Sequence, residues 1–147
     1  MSTKAAVIGM KARGGNVVAK VVENRTRETL LPVVYENVKD GTTIMTDEYS
    51  AYNDLKNYYN HFTVNDSAKE CVNLMAHTNG VENFWSHLKR GIDGIYHQVS
   101  KPHLQAYVNE FSFRFNTRKD KTQQRFDLVL SDLTNTRLTY NKLTGNE

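Results

Sequence analysis

The pattern of apolar and polar positions changes near residue 67, from short strand-like runs to a helical period. Ala5 to Met10 is one apolar run and Val17 to Val22 (VVAKVV) another, and Arg13-Gly14-Gly15-Asn16 between them is a turn signal. β-branched residues suit a pleated surface, so the two runs predict a β-hairpin. Leu30, Val33, Val34 and Val38 fall near helical spacing and predict a helix over 26–38, with Glu28 in its first turn, where the helix dipole favours an acid. Pro32 has no amide hydrogen, so the hydrogen-bonded helix is expected to start late, around Leu31. Asp40-Gly41 ends the element. Thr42 to Asp47 (TTIMTD) reads as a third strand, Tyr49 to Asn57 as a short helix, and His61 to Asn65 as a fourth strand.

Residues 66–78 are a polar connector. Beyond it Val81, Phe84, Trp85 and Leu88 sit at i, i+3, i+4 and i+7, the spacing of an amphipathic helix, which Gly91 and Gly94 interrupt. Pro102 opens a second helix with Leu104, Tyr107, Val108, Phe111 and Phe115 on one stripe. Phe113 lies opposite that stripe, on a second buried face or at a partner contact. A last helix carries Phe126, Val129, Leu130 and Leu133. Strands first and helices after predict an α/β or α+β layer on one mixed sheet.

Length adds that 147 residues suit a single domain, 1–147, with 134–147 as a loosely ordered tail. No stretch reaches the ~18 apolar residues of a membrane helix. The apolar run near the N-terminus is too short for a signal peptide. One cysteine, Cys71, leaves no internal disulfide and no cysteine-based zinc site. The expectation is a soluble, cytoplasmic chain.

Net charge is only +3, but it is unevenly placed. Residues 1–86 carry nine Lys/Arg and ten Asp/Glu, residues 87–125 eight and three, and residues 126–147 two and three. The basic middle stretch is either a solvated helical face or a surface for a polyanion.

The candidate chemistry starts at Asp47, at the C-terminal end of a strand, where ligands of open sheets usually bind. Glu82 lies 35 residues on, in the first turn of the helix after the connector. Two carboxylates on separate elements can clamp Mg²⁺ or Mn²⁺, and two such ions would stabilise the attacking and leaving oxygens of a phosphodiester. Lys89 is seven residues after Glu82, within about 20° of it around a helix, with Ser86 between them. An acid for metal and an ammonium for phosphate on one face suit a nuclease-type helix. A purely structural reading stands beside it. Asn79-Gly80-Val81-Glu82 fits a capping-box variant, and Lys89-Arg90 suits a helix C-terminus. His77, His87 and His97 are ten apart, which is not a zinc spacing on one helix, so surface or hydrogen-bonded roles are expected for them.

Several segments together resemble a known family. They are Thr46-Asp47-Glu48-Tyr49-Ser50-Ala51-Tyr52, Val64 to Glu70, and His77-Thr78-Asn79-Gly80-Val81-Glu82-Asn83-Phe84-Trp85-Ser86-His87-Leu88-Lys89-Arg90-Gly91, followed by Tyr96-His97-Gln98-Val99-Ser100, His103-Leu104-Gln105 and Glu110 to Asn116. From about Ala5 to Leu133 the chain resembles the ISXO2-like transposase domain, a group of DDE-type insertion-sequence transposases. The resemblance implies an RNase H-like mixed sheet flanked by helices, and Mg²⁺- or Mn²⁺-dependent cleavage and joining of DNA strands. It makes Asp47 the second catalytic carboxylate, puts Glu82 or Asn79 at the third position, and matches Lys89 to a basic residue two turns after the acid. Asp47 and Glu82 would be the metal ligands, and Lys89, Arg90, Arg114, Arg118, Lys119 and Lys121 the DNA-binding residues. Transposon ends and target DNA are the implied partners, with a homo-oligomer and a nucleoid-associated location.

The chain also departs from the family. Relatives carry a first catalytic Asp within Asp-Glu-Thr-Tyr on a first strand, and no Asp precedes Asp40 here. The expectation is an N-terminally incomplete catalytic domain lacking its first strand, with impaired cleavage. Two alternatives stand beside it: a non-catalytic DNA-binding module and an inactive remnant.

Overall fold

Alternation along the first two apolar runs gives each strand two different faces, and both are covered. In the computed structural model, which describes residues 5–64 and 79–133, β1 (Ala6–Lys11) pairs antiparallel with β2 (Val17–Val22), Ala6 opposite Val22 and Lys11 opposite Val17. Gly14, at φ 68°, makes the turn between them, a backbone conformation that costs glycine little. Ile8 and Val22 point to one face and join Leu30, Leu31, Val34, Ala51, Leu55 and Tyr59 in a core cluster, with Ala6 and Met10 at its margin. Val17 and Ala19 point to the other face and join Phe84, Leu88, Val108 and Phe115. A two-stranded hairpin alone is marginal in water; burial on both faces is what stabilises this one.

On the first face lies α1 (Arg27–Asn37), buried through Leu30, Leu31 and Val34. It starts at Arg27, not near Leu31, and Pro32 sits exposed inside it. Proline there gives up one bond, to the Glu28 carbonyl, and three buried aliphatic side chains outweigh that loss. Asn24 prepares the start: its Oδ1 accepts from the Thr26 amide (3.0 Å) and from the Thr26 and Thr29 hydroxyls (2.8 and 2.7 Å). β3 (Thr43–Thr46), a 3₁₀ helix (Ser50–Asn57) and β4 (Asn60–Thr63) follow, and β3 pairs with β4 in parallel.

The expected single mixed sheet is not what the described residues form. They make two separate two-stranded sheets, β1–β2 and β3–β4, with no ladder between them. The chain is α/β at this level.

On the second face lie α2 (Asn79–Gly91) and α3 (Leu104–Asn116). Trp85 lies over Gly9, where an added Cβ would come within 2.4 Å of the indole; Gly9 and its cross-strand partner Ala19 leave the room the ring needs. α3 closes the outer edge of β2 with side chains. Asn116 Oδ1 accepts the Val17 amide (2.7 Å) while its Nδ2 donates to the Val17 carbonyl (3.0 Å). Gln105 does the same upstream, accepting from the Val21 amide (2.7 Å) and donating to the Ala19 carbonyl (3.3 Å). Unpaired strand edges invite association with other chains, and these two amides close this one. Asn116→Ala leaves both backbone groups of Val17, which is 1% exposed, without a partner. It should lower stability by about 1–3 kcal/mol in urea denaturation; an unchanged midpoint would mean that the edge is satisfied some other way.

This first compact unit ends at Asn116, and a second begins at Thr117. The second unit contains α4 (Thr122–Leu133), whose Phe126, Leu128, Val129, Leu130 and Leu133 are all exposed. The expected tail over 134–147, and the connector with Cys71 and His77, lie outside the described residues. Among the described residues no helix is long and apolar enough to cross a membrane.

Candidate functional site

Asp47 follows β3 directly, because the parallel ladder ends at Thr46 opposite Thr63. Its Oδ1 accepts the Tyr49 amide (3.2 Å), a local turn that fixes the carboxylate at the strand's end. Thr46 Oγ1 donates to the Asp47 carbonyl (2.9 Å) and also meets His61 Nε2 (2.8 Å). Burial pushes the His61 imidazole below its ordinary value, which favours a neutral ring beside the strand end.

The Asp47 side chain borders a cavity of about 190 Å³, together with Val7 and Ile8 of β1, Val22 of β2, and Arg25, Leu30, Tyr49 and Tyr52. Tyr49 is tied across it by its hydroxyl, which donates to the Arg25 carbonyl (2.8 Å). Burial, helped by the Asp47 charge, raises the Tyr52 phenol above its ordinary value, so Tyr52 stays protonated. The cavity is therefore bordered by Asp47, Arg25 and two tyrosines over an apolar floor. Tyr49 and Tyr52 lie in the segment that carries the family resemblance, whereas Arg25 gave no motif signal, because the Asn24-Arg25-Thr26 loop has no period.

α2 presents the second group. Its buried stripe is Phe84 and Leu88, with Val81 and Trp85 half-buried, and this leaves Glu82, Ser86, Lys89 and Arg90 exposed. The acid and the ammonium thus share the solvent side of one helix, as the helical arithmetic requires. Arg90 Nε donates to the Ser86 carbonyl (3.2 Å). The Lys11 side chain reaches the first turn of α2 beside Gly80, a basic group that sequence spacing did not mark. Only the backbone of Asn79 is described, in the first position of α2.

The remaining basic candidates differ in how they are used. Arg114 is engaged inside the chain, paired with Glu110 at 2.5 Å and lying 5.8 Å from the centre of the Phe111 ring. Arg118, Lys119 and Lys121 are exposed in the second unit. Glu82 does not border the Asp47 cavity. Among the described residues, no three His, Cys, Asp or Glu side chains converge as a metal site would need. The residues described do not by themselves fit a two-metal centre.

The model of the ISXO2-like transposase domain matches residues 1–116 of this chain. The chain belongs to that family. The match takes in both sheets and α1 to α3, and α4 lies beyond it. This transposase-family chain is also similar to an uncharacterized transposase-like protein of Haemophilus influenzae. The two are 35% identical over 104 residues, which cover 70% of this chain and 83% of that protein. No solved structure matches it.

Proposed function

We propose that the chain acts on DNA in transposition, as the DDE-type catalytic domain of an insertion-sequence transposase, at the nucleoid. The family match over residues 1–116 carries the reading. Asp47 at the strand end and Glu82 on α2 are the carboxylates that would hold Mg²⁺ or Mn²⁺, with Asn79 the other candidate for the third position. Lys89, two turns from Glu82, would contact a phosphate, and Arg90, Lys119 and Lys121 would add sequence-independent attraction to the backbone.

Strand cleavage by this chain alone is impaired on this reading, because the carboxylate set is short of one member.

The test is plasmid nicking in Mg²⁺ and in Mn²⁺ by the wild-type chain and by Asp47→Ala. The expected result is no nicking above the Asp47→Ala background, while both proteins bind DNA. Metal-dependent nicking that Asp47→Ala removes would contradict impairment. Failure of the wild type to bind DNA at all would contradict the function itself.

A further inference from the structure

The segment joining α2 to α3 holds a backbone conformation that its residue type does not favour. α2 runs into a π-helical turn, Ile92–Tyr96, and His97 follows at φ 54°, ψ −44°. The Gln98 amide donates to the Tyr96 carbonyl (2.5 Å), closing a γ-turn centred on His97. γ-turns of this hand are rare and strained. Among the described residues His97 is the only non-glycine residue with positive φ. Such conformations persist only where the surroundings enforce them, and they concentrate where a chain contacts ligand or substrate. π-turns concentrate at functional sites too.

Here the enforcement comes from α3. The Tyr96 hydroxyl reaches both carboxylate oxygens of Glu110 (3.2 and 3.4 Å), and Glu110 is held in turn by Arg114. The Tyr96 ring stands edge-on to Tyr107, with centroids 4.6 Å apart, and more loosely against Phe111. Desolvation inside this cluster and the Glu110 carboxylate raise the Tyr96 phenol above its ordinary value, so it remains a donor. At the other end of the segment Gly91 packs on Phe111 so closely that a Cβ would fall within 1.9 Å of the ring tip. The segment leading into the turn is thus held at both of its ends, at Gly91 and at Tyr96, and the residue at the turn's apex is exposed. The His97 imidazole makes no hydrogen bond or ion pair among the described residues. Lys89 and Arg90 precede it and Lys101 and His103 follow it, with Asp93 the one acid between 89 and 103.

We propose that the clamped γ-turn presents His97 as a DNA contact, its ring N–H donating to a backbone phosphate next to those met by Lys89 and Arg90. Tyr96 and Glu110 are then positioning residues that hold the turn. The proposal rests on the DNA-acting reading above. A purely structural turn would need only its tight reversal, which glycine makes with less strain.

The experiment compares wild type, His97→Gly and His97→Asn for Tm and for affinity to a DNA duplex at low salt. The expected result for His97→Gly is a Tm unchanged or a few degrees higher, because strain is relieved. Its DNA affinity should be roughly tenfold weaker, because a hydrogen bond to a charged group is lost. His97→Asn keeps an N–H donor and should recover most of that affinity. A folded His97→Gly that binds DNA as tightly as wild type would overturn the proposal while leaving the DNA-acting reading intact. A lower Tm in His97→Gly would also overturn it, by showing that the ring is part of the packing. Wild type that binds no DNA would defeat the DNA-acting reading instead.

Discussion

Phe84→Ala should destabilise the chain by about 3–5 kcal/mol, the largest single effect expected in the molecule. Phe84 is fully buried, and its ring meets Trp85 and Phe115 at centroid distances of 5.2 and 5.6 Å. It packs in the cluster formed by Val17 and Ala19 of β2, Leu88 of α2, and Val108 and Phe115 of α3. Truncation removes the transfer free energy of the ring and leaves a cavity bounded by three elements that cannot all close on it. It also loosens α2, the element that presents Glu82 and Lys89. Urea or thermal denaturation reads the loss, and stability within 1 kcal/mol of wild type would contradict this account of the core. Phe84→Leu, which keeps most of the volume, should fall between the two.

The second large effect concerns DNA. Lys89→Ala combined with Arg90→Ala removes two exposed cations from the end of α2 without touching its buried stripe, Phe84 and Leu88. Affinity for duplex DNA should fall roughly tenfold or more at low salt, about equally for every sequence tried. The log–log salt slope should become shallower by about 2, one for each lost phosphate contact. Fluorescence anisotropy over a salt series reads both quantities. An unchanged slope would place the DNA elsewhere on the chain. Arg114→Ala is a useful contrast. Its guanidinium is bound to Glu110, which also receives the Tyr96 hydroxyl, so its removal disturbs the clamp on the His97 turn as well as any phosphate contact.

Much of the local structure was legible in the sequence because it follows from periods. Short apolar runs around a turn signal marked β1 and β2 to within a residue, and Phe84 and Leu88 marked the buried side of α2. Helical arithmetic put Glu82 and Lys89 together on the face that borders it. Pro32 misled at the start of α1, because the rule for proline counts the lost bond and not the three aliphatic side chains that α1 buries. The rest depends on contacts that no period encodes. Asn116 and Gln105 reach β2 across 99 and 84 residues of sequence, and a lone amide gives no sign of where it will reach. The γ-turn at His97 is imposed by Glu110 from the next helix. Arg25, in the loop between β2 and α1, borders the same cavity as Asp47, and no spacing marks that approach. The expectation of one sheet failed at a similar place. Each strand was recognisable, but nothing within β1 or β3 says whether a ladder joins them.

That separation between the sheets bears on function. β1 lines the cavity beside Asp47, the residue that follows β3, yet no backbone ladder connects the two strands. A carboxylate at such a place is well positioned for phosphodiester chemistry only when the remaining ligands are brought to it. The family membership and the exposed basic residues of α2 do not depend on those ligands. DNA binding is therefore expected whether or not the chain cleaves DNA.

The most direct test of the central claim is the affinity of the full chain for a DNA duplex measured across a salt series. Binding is expected at low salt with little sequence preference and a log–log slope of about −3 or steeper, as several phosphate contacts require. No binding at low salt, or an affinity that does not change between low and moderate salt, would contradict it.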